Sequence, residues 1–196
     1  VLGHEFVGVV EQAHEATGER GKALVGKRVV GSINCVCGKC DMCLSGLRNH
    51  CRLRTVIGID GRDGAFADYI AVPVRNCHPL PDSISDEAAV FVEPVAAAAQ
   101  VIRQVPIDTR MKVTVLGDGR LGQLVAQVLQ TTGCGPCLVG KHSTKLAIAD
   151  RLDIRTELLG DAAADKRDDL VVDCTGSSNG FETAMRMVRP RGVIVL

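Results

Sequence analysis

The run Val113-Thr-Val-Leu116 passes directly into Gly117-Asp-Gly-Arg-Leu-Gly122 and then into a helix-like stretch, 121–130. A strand, then G-x-G-x-x-G, then a helix constrains a fold tightly, because each glycine has its own steric duty. Gly117 permits the tight turn, Gly119 lets backbone N–H groups approach a pyrophosphate, and Gly122 lets the helix pack closely on the strand. The helix N-terminus then presents unpaired N–H groups and partial positive charge to the phosphates. The alternative is a glycine-rich turn without a ligand. The strand before and the helix after make dinucleotide binding the expectation, with Gly117, Asp118, Gly119, Arg120, Leu121 and Gly122 forming the cradle.

The pattern around this motif has the same character. From Met111 onward, apolar strand-like runs (112–116, 137–140, 170–174, 192–196) alternate with helix-length segments (121–130, 143–152, 181–188). That alternation predicts a parallel sheet covered on both faces. The first half differs. Short β-branched or aromatic runs at 6–10, 28–30 and 66–74 are separated by glycine-rich turns, which predicts strands. A helical segment over 85–105 follows, opened by the cap-like Ser85 and expected to kink or split at Pro94. The chain is therefore read as α/β in two units: β-rich 1–108, then a doubly wound parallel sheet in 109–196.

A dinucleotide fold commonly carries Asp or Glu at the tip of its second strand, where it accepts the ribose 2′-hydroxyl. Here that strand ends Leu138-Val-Gly-Lys-His142, with no carboxylate. Gly140 stands at the acid's position and is expected to leave room, while Lys141 and His142 are candidate donors to a 2′-phosphate. This favours NADP over NAD, the alternative being that Lys141 is an ordinary solvated loop lysine. Asp118 lies too early in the chain to be expected as the ribose acid.

Cysteine usage supplies the second strong signal. Cys37, Cys40, Cys43 and Cys51 follow the spacing C-x2-C-x2-C-x7-C, and four thiolates within fifteen residues can close a tetrahedral structural zinc site. Cys35 is read as a bystander. Cys134-Gly-Pro-Cys137 carries the letters of a redox motif, but it follows a helix and leads into a strand, so it reads as a connecting loop. With nine cysteines, an odd number and clustered, the chain reads as an intracellular, cytoplasmic metal binder and not a disulfide framework. Lys plus Arg and Asp plus Glu number 23 each, and only four Phe and one Tyr occur, which argues against a nucleic-acid partner through Arg48, Arg52 and Arg54. The longest apolar stretch, 88–102, is broken by Glu93, Pro94 and Gln100, so no membrane span is expected.

Gly3-His4-Glu5, the four-cysteine lobe and the glycine fingerprint occur in one order with suitable intervals. Together with Gly64-Ala-Phe-Ala-Asp-Tyr-Ile70, Leu80-Pro-Asp82, Val92-Glu-Pro94 and Asp173-Cys-Thr-Gly176, they resemble the zinc-dependent medium-chain dehydrogenase/reductase family of alcohol, polyol and threonine dehydrogenases. The resemblance implies a partial GroES-like catalytic domain followed by a partial Rossmann domain. It implies that His4 is a ligand of a catalytic zinc, that Glu5 is its neighbour or an exchanging ligand, and that Glu93 takes the third protein position. Thr175 joins the cofactor-binding set on the same ground. His14, His50 and His78 have no such support.

The resemblance further implies hydride transfer between NAD(P) and a small alcohol, polyol or amino-alcohol substrate, with zinc as Lewis acid, in a homo-oligomer that is a dimer or tetramer. The chain starts without Met in an apolar run and stops within a strand-like run. It is therefore expected to be an internal piece of a longer protein, lacking the family's upstream ligand cysteine and proton relay, and inactive in isolation. A non-enzymatic dinucleotide-binding protein that keeps the structural zinc and lacks the catalytic one is the alternative.

Overall fold

The computed structural model describes residues 1–162 and 167–196. The chain divides into two compact units, Val1–Glu93 and Pro94–Leu196. The division lies earlier than the expected 108/109 boundary, for a packing reason. Ala98 and Val101, from the helical segment after Glu93, are buried in the same cluster as the strands of the second unit.

In the first unit, β1 (Val7–Val9) is followed by the short helix α1 (Gly18–Lys22), then β2 (Arg28–Gly31), β3 (Asn34–Cys35), α2 (Asp41–Leu44), β4 (Thr55–Ile57), β5 (Gly61–Arg62) and β6 (Cys77–Pro79). One sheet has the order β1-β2-β6 and is antiparallel, with Val7 opposite Val30 and Val30 opposite His78. A smaller sheet, β3-β4-β5, brackets the cysteine lobe. The expected strand at 66–74 does not form. The N–H groups of Ala65 and Phe66 donate to Gly3 and Leu2 carbonyls, and Pro73 has no N–H to give. Phe66 and Tyr69, which suggested the strand, are exposed.

The predicted 85–105 helix is three pieces: α3 (Asp86–Ala89), α4 (Val92–Ala98) and α5 (Gln100–Gln104). Ser85 caps the first, its Oγ accepting the Ala88 N–H at 3.3 Å. The breaks fall at Val90–Phe91 and Ala99, not at Pro94. Pro94 lies in the first turn of α4, where a missing N–H costs no helical bond.

The second unit alternates β7 (Val113–Leu116), α6 (Arg120–Gln130), β8 (Cys137–Gly140), α7 (Ser143–Asp150), β9 (Arg155–Leu158), β10 (Asp168–Asp173), α8 (Ser178–Met187) and β11 (Val188–Val195). The sheet order is β11-β10-β7-β8-β9, and each of its four pairings is parallel. Side chains alternate between two cores, as a period of two requires. Val113, Val115, Leu138, Leu170 and Val172 lie in one, and Leu116, Cys137, Val139 and Val171 in the other. This is the doubly wound Rossmann arrangement. Strand order reverses at β7, so a ligand crevice is expected beyond the C-terminal ends of β7 and β10. Among the described residues no helix is long and apolar enough to cross a membrane.

Leu138 has no exposed surface in the centre of this sheet. Leu138→Ala should lower unfolding free energy by about 2–5 kcal/mol in urea titrations, the usual cost of an unfilled core leucine. A loss below about 1 kcal/mol would contradict the two-faced core.

Candidate functional site

The cysteine lobe is assembled by very little regular structure. Cys40 precedes the four-residue α2 and Cys43 lies within it, while Cys51 ends a short 3-10 turn. The Sγ atoms of Cys37, Cys40, Cys43 and Cys51 all lie within 4.8 Å of one another. Cys37 and Cys43 sulfurs are 4.0 Å apart, and those of Cys40 and Cys51 3.9 Å. Backbone donors are aimed at the sulfurs: Lys39 and Cys40 N–H reach Cys37 Sγ at 3.4 Å, and Cys37 N–H reaches Cys51 Sγ at 3.3 Å. The backbone N–H groups of Arg52 and Cys43 lower the Cys40 thiol to about 6. Four sulfurs at these separations match the tetrahedral sulfur set zinc takes, with Zn–S near 2.3 Å. Cys35 is outside the set. It is buried, with its sulfur 3.6 Å from the Asn76 side-chain amide.

His4, Glu5 and Glu93 offer ligand atoms that also fall within 4.8 Å of one another, from opposite ends of the first unit's sequence. Local backbone explains how. Gly3 has φ +95°, and Gly58 and Gly64 pass directly against its backbone, where any Cβ would strike the Gly3 carbonyl. Gly64 N–H donates to Val1 O at 2.9 Å and Ala65 N–H to Gly3 O at 2.8 Å. The segment bearing His4 is thus docked on two glycines. Burial pushes the Glu93 carboxyl above the ordinary carboxylate range, with His4 opposing and Glu5 reinforcing the shift. Two of the other histidines are engaged elsewhere: His14 Nδ1 accepts the Ala16 N–H, and His78 hydrogen-bonds Ser32.

The glycine turn has the predicted steric form. Gly117 has φ +115°, and a Cβ on Gly122 would collide with the Gly117 carbonyl. A Cβ on Gly119 would meet nothing within 4 Å, so this turn faces open space. Gly119 is the N-cap of α6, and among the described residues no side chain caps that helix. Its first N–H groups are therefore open to an anion. Thr175 follows β10 beside this turn, the Cβ position of Gly117 lying 3.2 Å from its N. Arg120, Leu121, Lys141, His142 and Thr175 are exposed.

At the tip of β8 one expectation is overturned. Gly140 does not leave room, because Asp118 fills it: a Cβ on Gly140 would lie 2.5 Å from Asp118 Oδ2 and 2.7 Å from its Cγ. Asp118, although it lies early in the chain, therefore reaches the end of the second strand. It accepts the His142 N–H at 2.7 Å and lies 3.0 Å from His142 Nδ1. Sequence spacing held no signal for this, since the two groups meet only once β7 and β8 pair. Cys134 and Cys137 are both buried, and burial pushes the Cys137 thiol up, opposite to what a redox thiol needs.

With this geometry in place, likeness to known proteins is informative. Residues 1–82 match the alcohol dehydrogenase GroES-like domain family. An L-threonine 3-dehydrogenase of Mesorhizobium japonicum is 33% identical over 188 residues, 95% of this chain and 52% of that protein. A zinc-binding dehydrogenase from Sinorhizobium meliloti 1021, solved bound to NADP, superposes with a TM-score of 0.86 at 27% identity, over 99% of this chain and 59% of that one. A short chain alcohol dehydrogenase from Escherichia coli CFT073, complexed with NADH, gives a TM-score of 0.88 at 26% identity, over 99% of this chain and 59% of that one. The likeness to the threonine dehydrogenase and to the zinc-binding dehydrogenase runs along nearly the whole chain, beyond the matched residues 1–82. The chain spans about half the length of the curated relatives it matches.

Metal content separates the lobe from its neighbour. Cys43→Ser should cost the protein one zinc per chain by elemental analysis, whereas Cys35→Ser should cost none. Because the ligands bind as thiolates, zinc retention should fall as pH is lowered. Loss of zinc in Cys35→Ser with retention in Cys43→Ser would reverse the ligand assignment.

Proposed function

We propose that the full-length protein is a zinc-dependent oxidoreductase that transfers a hydride between NADP and a small alcohol, polyol or amino-alcohol substrate, acting as a homo-oligomer. The observation that carries this reading is the convergence of His4, Glu5 and Glu93, separate from the four-cysteine set. Two donor sets of different chemistry suit two different duties. The all-sulfur set is closed, as structural sites are. The nitrogen and oxygen set supplies fewer protein ligands than a closed site needs, which leaves room for a substrate oxygen.

When bound, zinc supplies Lewis acidity toward the alcohol oxygen, and the nicotinamide supplies the hydride acceptor. His4 and Glu93 hold the metal, and Glu5, exposed beside them, is a neighbour able to exchange with a ligand. Gly117, Gly119 and Gly122 bring the α6 N–H groups to the pyrophosphate, with Asp118, Arg120 and Leu121 completing the turn and Thr175 flanking it. At the adenosine end the exposed Lys141 and His142 favour NADP, although Gly140 leaves no empty space. The Asp118 side chain is 9% exposed, and its oxygens are turned toward His142. The groups that face outward there are the Lys141 cation and the His142 ring.

Full-length protein should bind two zinc ions per chain and oxidise an alcohol with NADP. His4→Ala should leave one zinc and lower kcat/KM by about three orders of magnitude, since Lewis-acid stabilisation is worth several kcal/mol. One zinc per chain in the unmodified protein, with dinucleotide still bound, would instead support a non-enzymatic binding protein.

A further inference from the structure

The acidic group at the end of β8 comes from the glycine turn after β7, and it is spent on a histidine. Asp118 Oδ2 accepts the His142 backbone N–H at 2.7 Å, and both carboxylate oxygens lie within reach of His142 Nδ1, at 3.0 and 3.2 Å. A cap on the strand end accounts for the first of these bonds but not for those to the ring. Asp118 is 8% exposed, whereas the His142 side chain is 55% exposed. One partner is therefore fixed inside the turn, and the other stands at the surface.

The chemistry of the pair sets the ring's form. Burial pushes the Asp118 carboxyl up, but its bonds from the His142 N–H and ring, and from the Lys141 N–H, more than offset this and hold it below the ordinary range. An ionised carboxylate only accepts hydrogen bonds, so Nδ1 must carry the ring hydrogen. Nε2 is then the atom offered to a ligand. It accepts from a hydroxyl when the ring is neutral and donates to a phosphate when the ring is charged. Lys141, the adjacent residue, adds an exposed cation and lines a recess of about 450 Å³ with Leu158, Leu159, Gly160 and Asp161.

We infer that Asp118 is the positioning residue of the cofactor's 2′ subsite: fixed in the glycine turn, it orients His142 so that Nε2, beside Lys141, reads a 2′-phosphate. This rests on the proposed dinucleotide binding and adds a residue that does not itself touch the phosphate. The imidazolium would lie between two anions and pair with both, so the buried carboxylate supports 2′-phosphate binding where an outward-facing one would oppose it.

A double-mutant cycle in the full-length protein tests this, with NAD and NADP dissociation constants measured by calorimetry for the unmodified protein, Asp118→Ala, His142→Ala and the double variant. His142→Ala and Asp118→Ala should each lower the NADP-over-NAD preference roughly tenfold, the scale of one hydrogen bond to a charged group. The double variant should lose no more than His142→Ala alone. Asp118→Ala that weakens both cofactors by one factor, or that lowers the preference equally with and without His142, overturns the inference while leaving dinucleotide binding intact. Unmodified protein that binds neither cofactor, or prefers NAD, overturns the cofactor reading itself. If Asp118→Ala does not fold, ¹⁵N resonances of His142 in the unmodified protein decide the point. A protonated Nδ1 and an Nε2 signal that shifts with NADP but not NAD are expected, and an unprotonated Nδ1 contradicts the positioning role.

Discussion

Helix α6 can begin where it does only because Gly122 has no Cβ. A side chain there would strike the carbonyl of Gly117, the residue that turns the chain out of β7 with φ +115°. This close approach sets the direction of α6 and thereby where its uncapped N–H groups point. It also fixes Asp118, held between two glycines, against the end of β8. The open first turn of α6 and the Asp118–His142 pair are thus consequences of one steric constraint at the centre of the sheet.

The first unit solves a different problem. Its lobe from Cys37 to Cys51 contains two short helical turns and leaves Leu44 and Leu47 exposed, so apolar burial alone offers little to hold it. Four sulfurs already grouped by backbone N–H donors allow a metal ion to take the place of a core, a role zinc plays where a small segment cannot bury enough surface. The approach of His4 to Glu93 depends instead on Gly58 and Gly64, which let the first residues lie flat against the 64–66 segment.

What was legible in the sequence follows from whether the determining contact is local. The β7–turn–α6 unit and the sulfur set could be read because their steric and ligand requirements lie within a few residues of each other. The 85–105 segment splits, but not at Pro94, because a proline's effect depends on its distance from the helix start, which the alanine-rich pattern conceals. Strand β9, Arg155–Leu158, escaped notice because its two charged residues mask a strand that only pairing with β8 reveals. The 66–74 run misled in the opposite sense: its aromatics are exposed, and its backbone groups bond to residues 2 and 3. The contact of Asp118 with His142 is illegible for the same reason, since 24 positions separate the two.

Crystals of the full-length protein grown with zinc and NADP, measured on both sides of the zinc absorption edge, test the central claim most directly. The account predicts two anomalous peaks per chain, one enclosed by Cys37, Cys40, Cys43 and Cys51 and one at His4 and Glu93, with pyrophosphate density at the first turn of α6. A peak bound through Cys35, no peak at His4, or a dinucleotide placed away from Gly119 would contradict it.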